Sequence, residues 1–598
     1  MTEQRDGVDW AGLKHAYGLA DDVPQLLRAM EDLDEDVRAE ALDGLGSSLC
    51  HQETVYSGTA PAVPRLGRLA VHGPGHRKEV LWLLVAIAGG NGRRVDTEAV
   101  RRAIAEVLPS LLGLVTDEDP GVRQSMVWLI ASCGEGALPL MPLLRARLAT
   151  ERSADVRADV VTALGLLDVS EPTRTERGRA LLSAPEPEVR LAAATDLLRT
   201  ADVPFPAHVV ECALEAYDAQ RHVTLHRGPW PERYRPLDQR LLDDPDAALS
   251  AVARGMPLAQ SITDTWRDRE RDVLPWLVKE AEHAHQLYAI ARAGAALEDG
   301  DPAPWLVPFL EAPDAGVRVA AVVAAVRFRV PDAIGRVLSL LDELPEDPGT
   351  AQAVRAAVEV FGEEARPVAA RIAERPRGAW TGVLAHFPDL AARCLGELVG
   401  CVPDSASALA ALGPDAGPSA ERALLDAARQ GSAAAAFAYA QVSGDHSVAV
   451  EHIRAGLDGD SWRWWLRDAG RLGSAGTELV PQLGRRLSSP SRDTRAAAAA
   501  AIWRITGRTT DALAALSDQL ACSESFYEPQ MESLRALTEM GRLPRQARPV
   551  VERLAWSPRR VAAAGLFDDG TPHPDDEARV LAKKLLAAAA DHVRAEAE

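Results

Sequence analysis

The apolar positions of this chain recur with helical spacing. Val156, Val160 and Leu164 stand at i, i+4 and i+8, and so do Val189, Ala193 and Leu197. Such a stripe occupies one face of an α-helix and must be buried against another element. Before each stripe stands a short acidic or proline-containing turn, followed by Val-Arg. Asp and Glu there suit the helix dipole, and Pro loses no intrahelical hydrogen bond at that position.

The phrase returns as "LDEDVRAEALDGLG" (Arg38), "DEDPGVRQSMVWLI" (Arg123), "RSADVRADVVTALGLL" (Arg157), "APEPEVRLAAATDLL" (Arg190) and "APDAGVRVAAVVAAV" (Arg318). "SPSRDTRAAAAAAIW" (Arg495) is a weaker copy. Arg123, Arg157 and Arg190 lie 34 and 33 residues apart, room for two helices and two short turns. A second phrase predicts the partner helix: "GEGALPLMPLLRARL" from Gly134 and "GSAGTELVPQLGRRL" from Gly473, with Pro142 and Pro481 eight residues in. "GEEARPVAARIAE" at Gly362 is a shorter relative.

Each pair of phrases predicts a helical hairpin. One hairpin cannot bury its own stripe, but stacked hairpins can. The expected fold is all-α, an α-solenoid of stacked antiparallel hairpins wound into a curved superhelix. The Asp-x-x-Val-Arg turn and the Gly-x-x-x-x-Pro-x-Leu approach resemble the HEAT repeat, including the short form found in bacterial phycobilin-lyase-like proteins. That resemblance implies a ladder between the turn Asp and the Arg of neighbouring repeats, through Asp119 with Arg123, Asp155 with Arg157 and Asp314 with Arg318. The expected organisation is an N-terminal array over 1–215, a Pro/Arg/aromatic insertion over 216–245 and a degenerate array over 246–598.

Composition narrows the function. The chain has 598 residues, 47% of them hydrophobic and only 5% aromatic, which favours helices packed closely through small residues. Its net charge of −21 argues against nucleic acid as the expected partner, since phosphate recognition calls for a basic surface. Six cysteines (Cys50, Cys133, Cys212, Cys394, Cys401, Cys522) form no CxxC and have no zinc-finger spacing, as expected of a reducing compartment. "VLWLLVAIA" at 80–88 is too short to cross a bilayer, and "MTEQRDGVDW" lacks a signal-peptide pattern. A cytoplasmic protein is expected, with no membrane partner, cofactor or metal.

Three departures from the repeat carry the candidate chemistry. "CHQETVYSG" at 50–58 is an enlarged loop before "TAPAVPRLGRLA", which aligns with "TELVPQLGRRLS" and so reads as the first helix of a repeat. His51 and Glu53 could form an acid–base pair, with Tyr56 beside them. The structural alternative has His51 and Thr54 capping neighbouring helices and Tyr56 plugging a repeat interface.

"RHVTLHRGPWPERYRPLDQR" at 221–240 is a basic, aromatic island whose three prolines and glycine break any helix. Arg227, Trp230, Arg233, Tyr234 and Arg235 suit an anionic ligand or a peptide. The alternative is a crossover loop that covers the solenoid and pairs with nearby acids.

"SWRWWLRDAG" at 461–470 places Trp462 and Trp465 on one helical face, and Trp464 four residues before Asp468. The Trp-x-x-x-Asp pattern resembles HEAT-like alkylpurine DNA glycosylases, and an excess of five positive charges over 485–560 keeps nucleic acid in view. The alternative is that these tryptophans pack a repeat interface and Asp468 is solvated.

No Walker A, GxGxxG, HExxH or GxSxG motif is present, and no complete active site is legible. The expected function is a non-catalytic interaction scaffold that holds a partner protein or peptide on its concave face. The alternatives are an enzyme or accessory acting on a small ligand or modified peptide in that groove, as the phycobilin-lyase resemblance implies, and nucleic-acid binding.

Overall fold

The computed structural model describes residues 8–168, 171–219, 230, 234–297, 304–345, 347–458, 462–521, 526–563 and 570–597. The chain forms two compact units, Met1–Leu258 and Ala259–Glu598. The 216–245 segment belongs to the first of them.

The first unit contains helices α1 (Val23–Ala29), α2 (Glu35–Leu49), α3 (Thr59–His72), α4 (Arg77–Gly89), α5 (Arg94–Leu111) and α6 (Pro120–Ser132). It continues through α7 (Met141–Thr150), α8 (Ala154–Leu167), α9 (Glu171–Leu181), α10 (Pro187–Thr200) and α11 (Ala207–Ala219). Helices α4, α6, α8 and α10 stack in turn as a layer of second helices, and α3 packs on α5 in the layer of first helices. The fold is an all-α solenoid of helical hairpins.

The predicted stripes are buried. Val156, Val160 and Leu164 are sealed between neighbours, as are Val189 and Ala193. Leu197 is only half-buried, and Leu198 takes the last core position instead. Each fully buried Val or Leu contributes roughly 2 kcal/mol.

The Val-Arg turn has a definite mechanism. Its acid caps the helix: Asp119 accepts from the Gly121 N–H at 2.8 Å and Asp314 from the Val317 N–H at 2.9 Å. Its arginine folds back onto the carbonyls six and five residues earlier. Arg123 donates to the carbonyls of Asp117 (2.8 Å) and Glu118 (3.0 Å), and Arg318 to those of Ala312 (2.8 Å) and Pro313 (2.9 Å). Arg38, Arg190 and Arg495 repeat the same geometry.

The ladder between repeats differs from the one the resemblance implies. Arg123 pairs with Glu151 through both Nε (2.9 Å) and Nη2 (2.8 Å), and Arg157 reaches Glu186 at 2.5 Å. The partner is an acid of the next turn, 28 or 29 residues on. Capping occupies the turn aspartates at 119 and 314, so a later carboxylate takes the ion pair.

The glycine phrase also folds in two pieces. Gly134 and Gly473 have φ of 58° and 53°, a conformation open to glycine, and each starts a 3-10 turn. Pro142 and Pro481 then lie in the first turn of a new α-helix, where the missing N–H costs nothing.

In the second unit, helices Ala284–Ala295, Ala315–Arg327 and Pro348–Phe361 stack in one part of the array, and Trp462–Arg471, Arg492–Thr506 and Glu528–Met540 in another. The end of this unit returns to its start. Residues 265–267 run beside 558–560, with Arg267 N–H to Pro558 O at 2.9 Å and Arg560 N–H to Thr265 O at 2.8 Å.

A buried charge cluster clasps the two ends. Arg267 grips Asp575 through Nε (2.5 Å) and Nη2 (3.0 Å), and both side chains are essentially sealed from solvent. Asp575 also accepts from the N–H groups of Val561 and Ala562. Arg560 holds Glu270 at 2.5 Å and Asp576 at 2.7 Å. His573 is buried within this cluster. Burial, and then the charges of Arg560 and Arg292, push its imidazole down to about 3. Its Nδ1 accepts from the Asp575 N–H at 3.1 Å, so the ring is neutral with its proton on Nε2.

Candidate functional site

The 50–58 loop is a β-ribbon. Strand β1 (Lys14–His15) pairs with β2 (Gly18–Leu19), and β3 (Cys50–His51) pairs with β4 (Thr54–Val55), which runs parallel to β5 (Asn91–Gly92). Gln52 and Glu53 form the two-residue turn, both left-handed at φ 47° and 63°. The partner of His51 is Tyr17: its hydroxyl lies 3.3 Å from Nδ1. Glu53 is exposed, and its carbonyl accepts from the Asn91 N–H at 2.7 Å.

The ribbon therefore assembles no acid–base pair. Nor do His51 and Thr54 cap helices. Thr59 does so, donating to the Leu49 carbonyl at 2.7 Å and accepting from the N–H of half-buried Tyr56 at 2.9 Å. Burial and the nearby Glu53 push the Cys50 thiol up to about 11, which keeps it in the protonated form near neutral pH.

In the 221–240 island, Arg227 and Arg233 lie outside the described residues. Trp230 packs on the first unit's core, its ring 6.3 Å from Trp128 of α6 and 5.5 Å from Tyr234. Trp128 in turn meets Trp82 of α4 edge-on at 5.3 Å. Tyr234 sits against Thr162 and Leu166 of α8 and Thr195 and Arg199 of α10. Burial, then Asp159 and Asp238, raises its hydroxyl to about 12. Arg235 pairs with Asp243 at 2.6 Å, and Arg240 donates to the α10-end carbonyls of Leu198 (2.7 Å) and Ala201 (2.6 Å). Arg240 anchors the segment to the solenoid, and Arg235 braces it from within.

The tryptophan cluster divides. Trp465 packs on helix Ser447–Asp458, edge-on to His452 at 5.0 Å. A Cβ at Gly456 would fall 2.3 Å from its ring, so that position admits only glycine. Asp468 pairs with Arg471 at 3.2 Å. Trp462 starts the helix, and its side chain lies outside what is described. Trp464 is 72% exposed and borders a cavity of about 510 Å³ between helices Trp462–Arg471, Arg492–Thr506 and Glu528–Met540.

That cavity has a floor of Ala496, Ala497 and Pro529, and Asp493, Glu528 and Arg467 also line it. Asp468 does not, so Trp464 and Asp468 do not act on one space. Sequence reasoning found Trp464 and missed its neighbours, which come from helices starting 30 and 66 residues later. Several arginines of 485–560 are engaged in ion pairs. Arg504 pairs with Glu532 and Glu539, Arg535 with Glu577 and Arg495 with Asp518, so these three spend their charge within the fold.

A second cavity, of about 740 Å³, lies in the first unit beside Ile104, Leu108 and Leu140. Its Cys133 thiol is pushed up to about 11 by burial. Neither cavity is lined by the 50–58 or the 221–240 loop. Among the described residues, no three His, Cys, Asp or Glu side chains gather as a metal would require, and no helix is long and apolar enough to cross a membrane.

No model of a known protein family matches the chain, and no curated protein does. Solved helical solenoids do. Yeast importin-β (Kap95p) aligns at 12% identity over 94% of this chain and 87% of its own, with a TM-score of 0.33. The karyopherin Kap121p bound to the SUMO protease Ulp1p aligns at 12% over 95% and 77%, with a TM-score of 0.37. This likeness is one of stacked helices.

Proposed function

We propose that this protein is an interaction scaffold that holds an extended segment of a partner protein along the concave, second-helix layer of its array. One observation supports the reading: that layer already receives aromatic side chains from outside its helices. Trp230 and Tyr234, in non-helical backbone, rest across α6, α8 and α10. A layer that accepts aromatic side chains of non-helical backbone in cis has the chemistry to accept those of a partner segment in trans.

Photo-crosslinking tests the reading. A benzophenone side chain replaces Trp82 or Ala497 in the second-helix layer, or Glu106 or Arg553 on first helices. The expected result is discrete protein adducts in extract of the cells that make it, from the first pair and not the second. Equal labelling from both layers would refute the reading.

A further inference from the structure

The cavity beneath Trp464 has a chemistry of its own. Its floor is apolar and small-residued, Ala496, Ala497 and Pro529, and an indole stands open to solvent at its edge. Its charges are unequal, with Asp493, Glu528 and Glu532 against Arg467 alone. Two of these acids already have cations. Glu532 is held by Arg504 at 2.5 Å, and Glu528 by Arg535 at 3.0 Å with Arg467 at 3.7 Å.

Asp493 is different. It is exposed and accepts from the Gln519 amide at 3.0 Å, and it has no cation within ion-pair distance among the described residues. Beside it, Thr494 lines the same cavity, is 2% exposed, and its hydroxyl has no hydrogen-bond partner. That hydroxyl is sealed from solvent, so the polar partner the open cavity offers a ligand is the exposed Asp493 carboxylate.

An exposed indole face and a carboxylate without a cation partner, beside an aliphatic lining, match one side chain well. An arginine can lay its planar guanidinium on Trp464 while donating to Asp493. The volume of about 510 Å³ exceeds one arginine and leaves the floor for an apolar neighbour.

We propose that this cavity is the docking subsite for an arginine, flanked by an apolar residue, on the extended partner segment. This inference rests on the scaffold reading above and names the chemistry that one of its sites would recognise. An acidic chain facing a basic segment also gains in encounter rate.

The test uses the full chain and a peptide labelled on its N-terminal amine, fluorescein-Gly-Leu-Arg-Leu-Gly-amide, followed by anisotropy. Its citrulline counterpart has the same shape without the charge. The expected result is saturable binding of the arginine peptide, about tenfold weaker for citrulline and about tenfold weaker for W464A. D493N weakens it about fivefold, and W464F retains part of the affinity. Thermal unfolding of W464A should match the parent, which separates lost binding from lost fold.

Equal binding of the citrulline peptide, indifference to both W464A and D493N, or no binding of the arginine peptide would each overturn the proposal. So would an oligo-dT strand that binds this cavity in the peptide's place. If the peptide fails while crosslinks from Ala497 persist, the scaffold stands and this subsite falls. If those crosslinks are absent too, both fall.

Discussion

Trp230 rests on the second-helix layer of its unit and Trp464 stands in that of the other, and they live in opposite surroundings. Trp230 is packed on the first unit's core and flanked by Trp128 and Tyr234. Trp464 is 72% exposed above an open cavity. The same hairpin architecture thus presents one groove covered by its own chain and one left open. The ends of the units differ as well. The first is sealed by short local ribbons, and the second by charges 308 residues apart in sequence. Stacking alone explains neither difference, because both depend on residues outside the repeat phrase.

The largest effect should come from breaking the clasp. Arg267→Ala leaves Asp575 charged and sealed, which costs about 4 kcal/mol. Urea unfolding should show this as loss of the second unit's transition, with the first unit's unchanged. Replacing both charges, Arg267→Met with Asp575→Asn, should recover most of the loss, because no buried charge is then stranded and the amide oxygen still accepts from the Val561 and Ala562 N–H groups. A simple additive loss in the double variant would mean that the clasp holds through shape instead.

Acid should separate the two units by mechanism. In the first, burial opposes ionisation of Glu151, but Arg123, the Ser153 N–H and Arg147 hold it down to about 2 from an ordinary 4.5. A lowered carboxylate stabilises the fold above pH 4.5, and that stability is lost as pH falls toward 2. The loss is up to about 3 kcal/mol and should vanish in Glu151→Gln. In the second unit His573 is held down to about 3 from 6.5, so the unfolded chain takes up the proton first. Its contribution is present above pH 6.5 and is lost as pH falls toward 3. Stability-versus-pH curves of Glu151→Gln and His573→Gln should therefore flatten in different windows.

The covered groove should be felt in stability and the open one in binding. Trp230→Ala removes a half-buried indole and should cost about 2 kcal/mol, read by thermal unfolding. Trp464→Ala should shift stability by less than about 0.5 kcal/mol. If Trp230→Ala proves silent and instead raises partner capture at Trp82, the segment acts as a displaceable occupant of its own groove.

What the sequence made legible was local. The Val-Arg turns were readable because cap, arginine and stripe lie within a few residues, as Asp119, Arg123 and the α6 core show. Trp464 was readable as an oddity, but its exposure was not, because only the positions of Asp493 and Glu528 from later helices define the cavity. The clasp was invisible. "SPRRVAAAG" and "HPDDEAR" carry Arg560 and Asp575 with no periodicity, and their partners near 267 stand about half a chain away. The ladder was misread for a related reason: the motif names the arginine, while its carboxylate partner lies in a variable later turn.

The smallest effect tests the feature that looked most catalytic. Gln52 and Glu53 both hold positive φ in a two-residue hairpin turn, where Asn-Gly is favoured. An L-residue there costs roughly 1 kcal/mol that glycine does not. Glu53→Gly should therefore raise the first unit's stability by about that amount, and Gln52→Asn should add a few tenths. Pairing of β3 with β4, and of β4 with β5, would be unchanged, because Glu53 contributes its carbonyl and not its carboxylate. Partner crosslinking from Trp82 and Ala497 should also be unchanged. A variant that gained stability but lost those adducts would return the Glu53 carboxylate to the functional surface; one that lost neither would leave the ribbon as the seal of the first repeats.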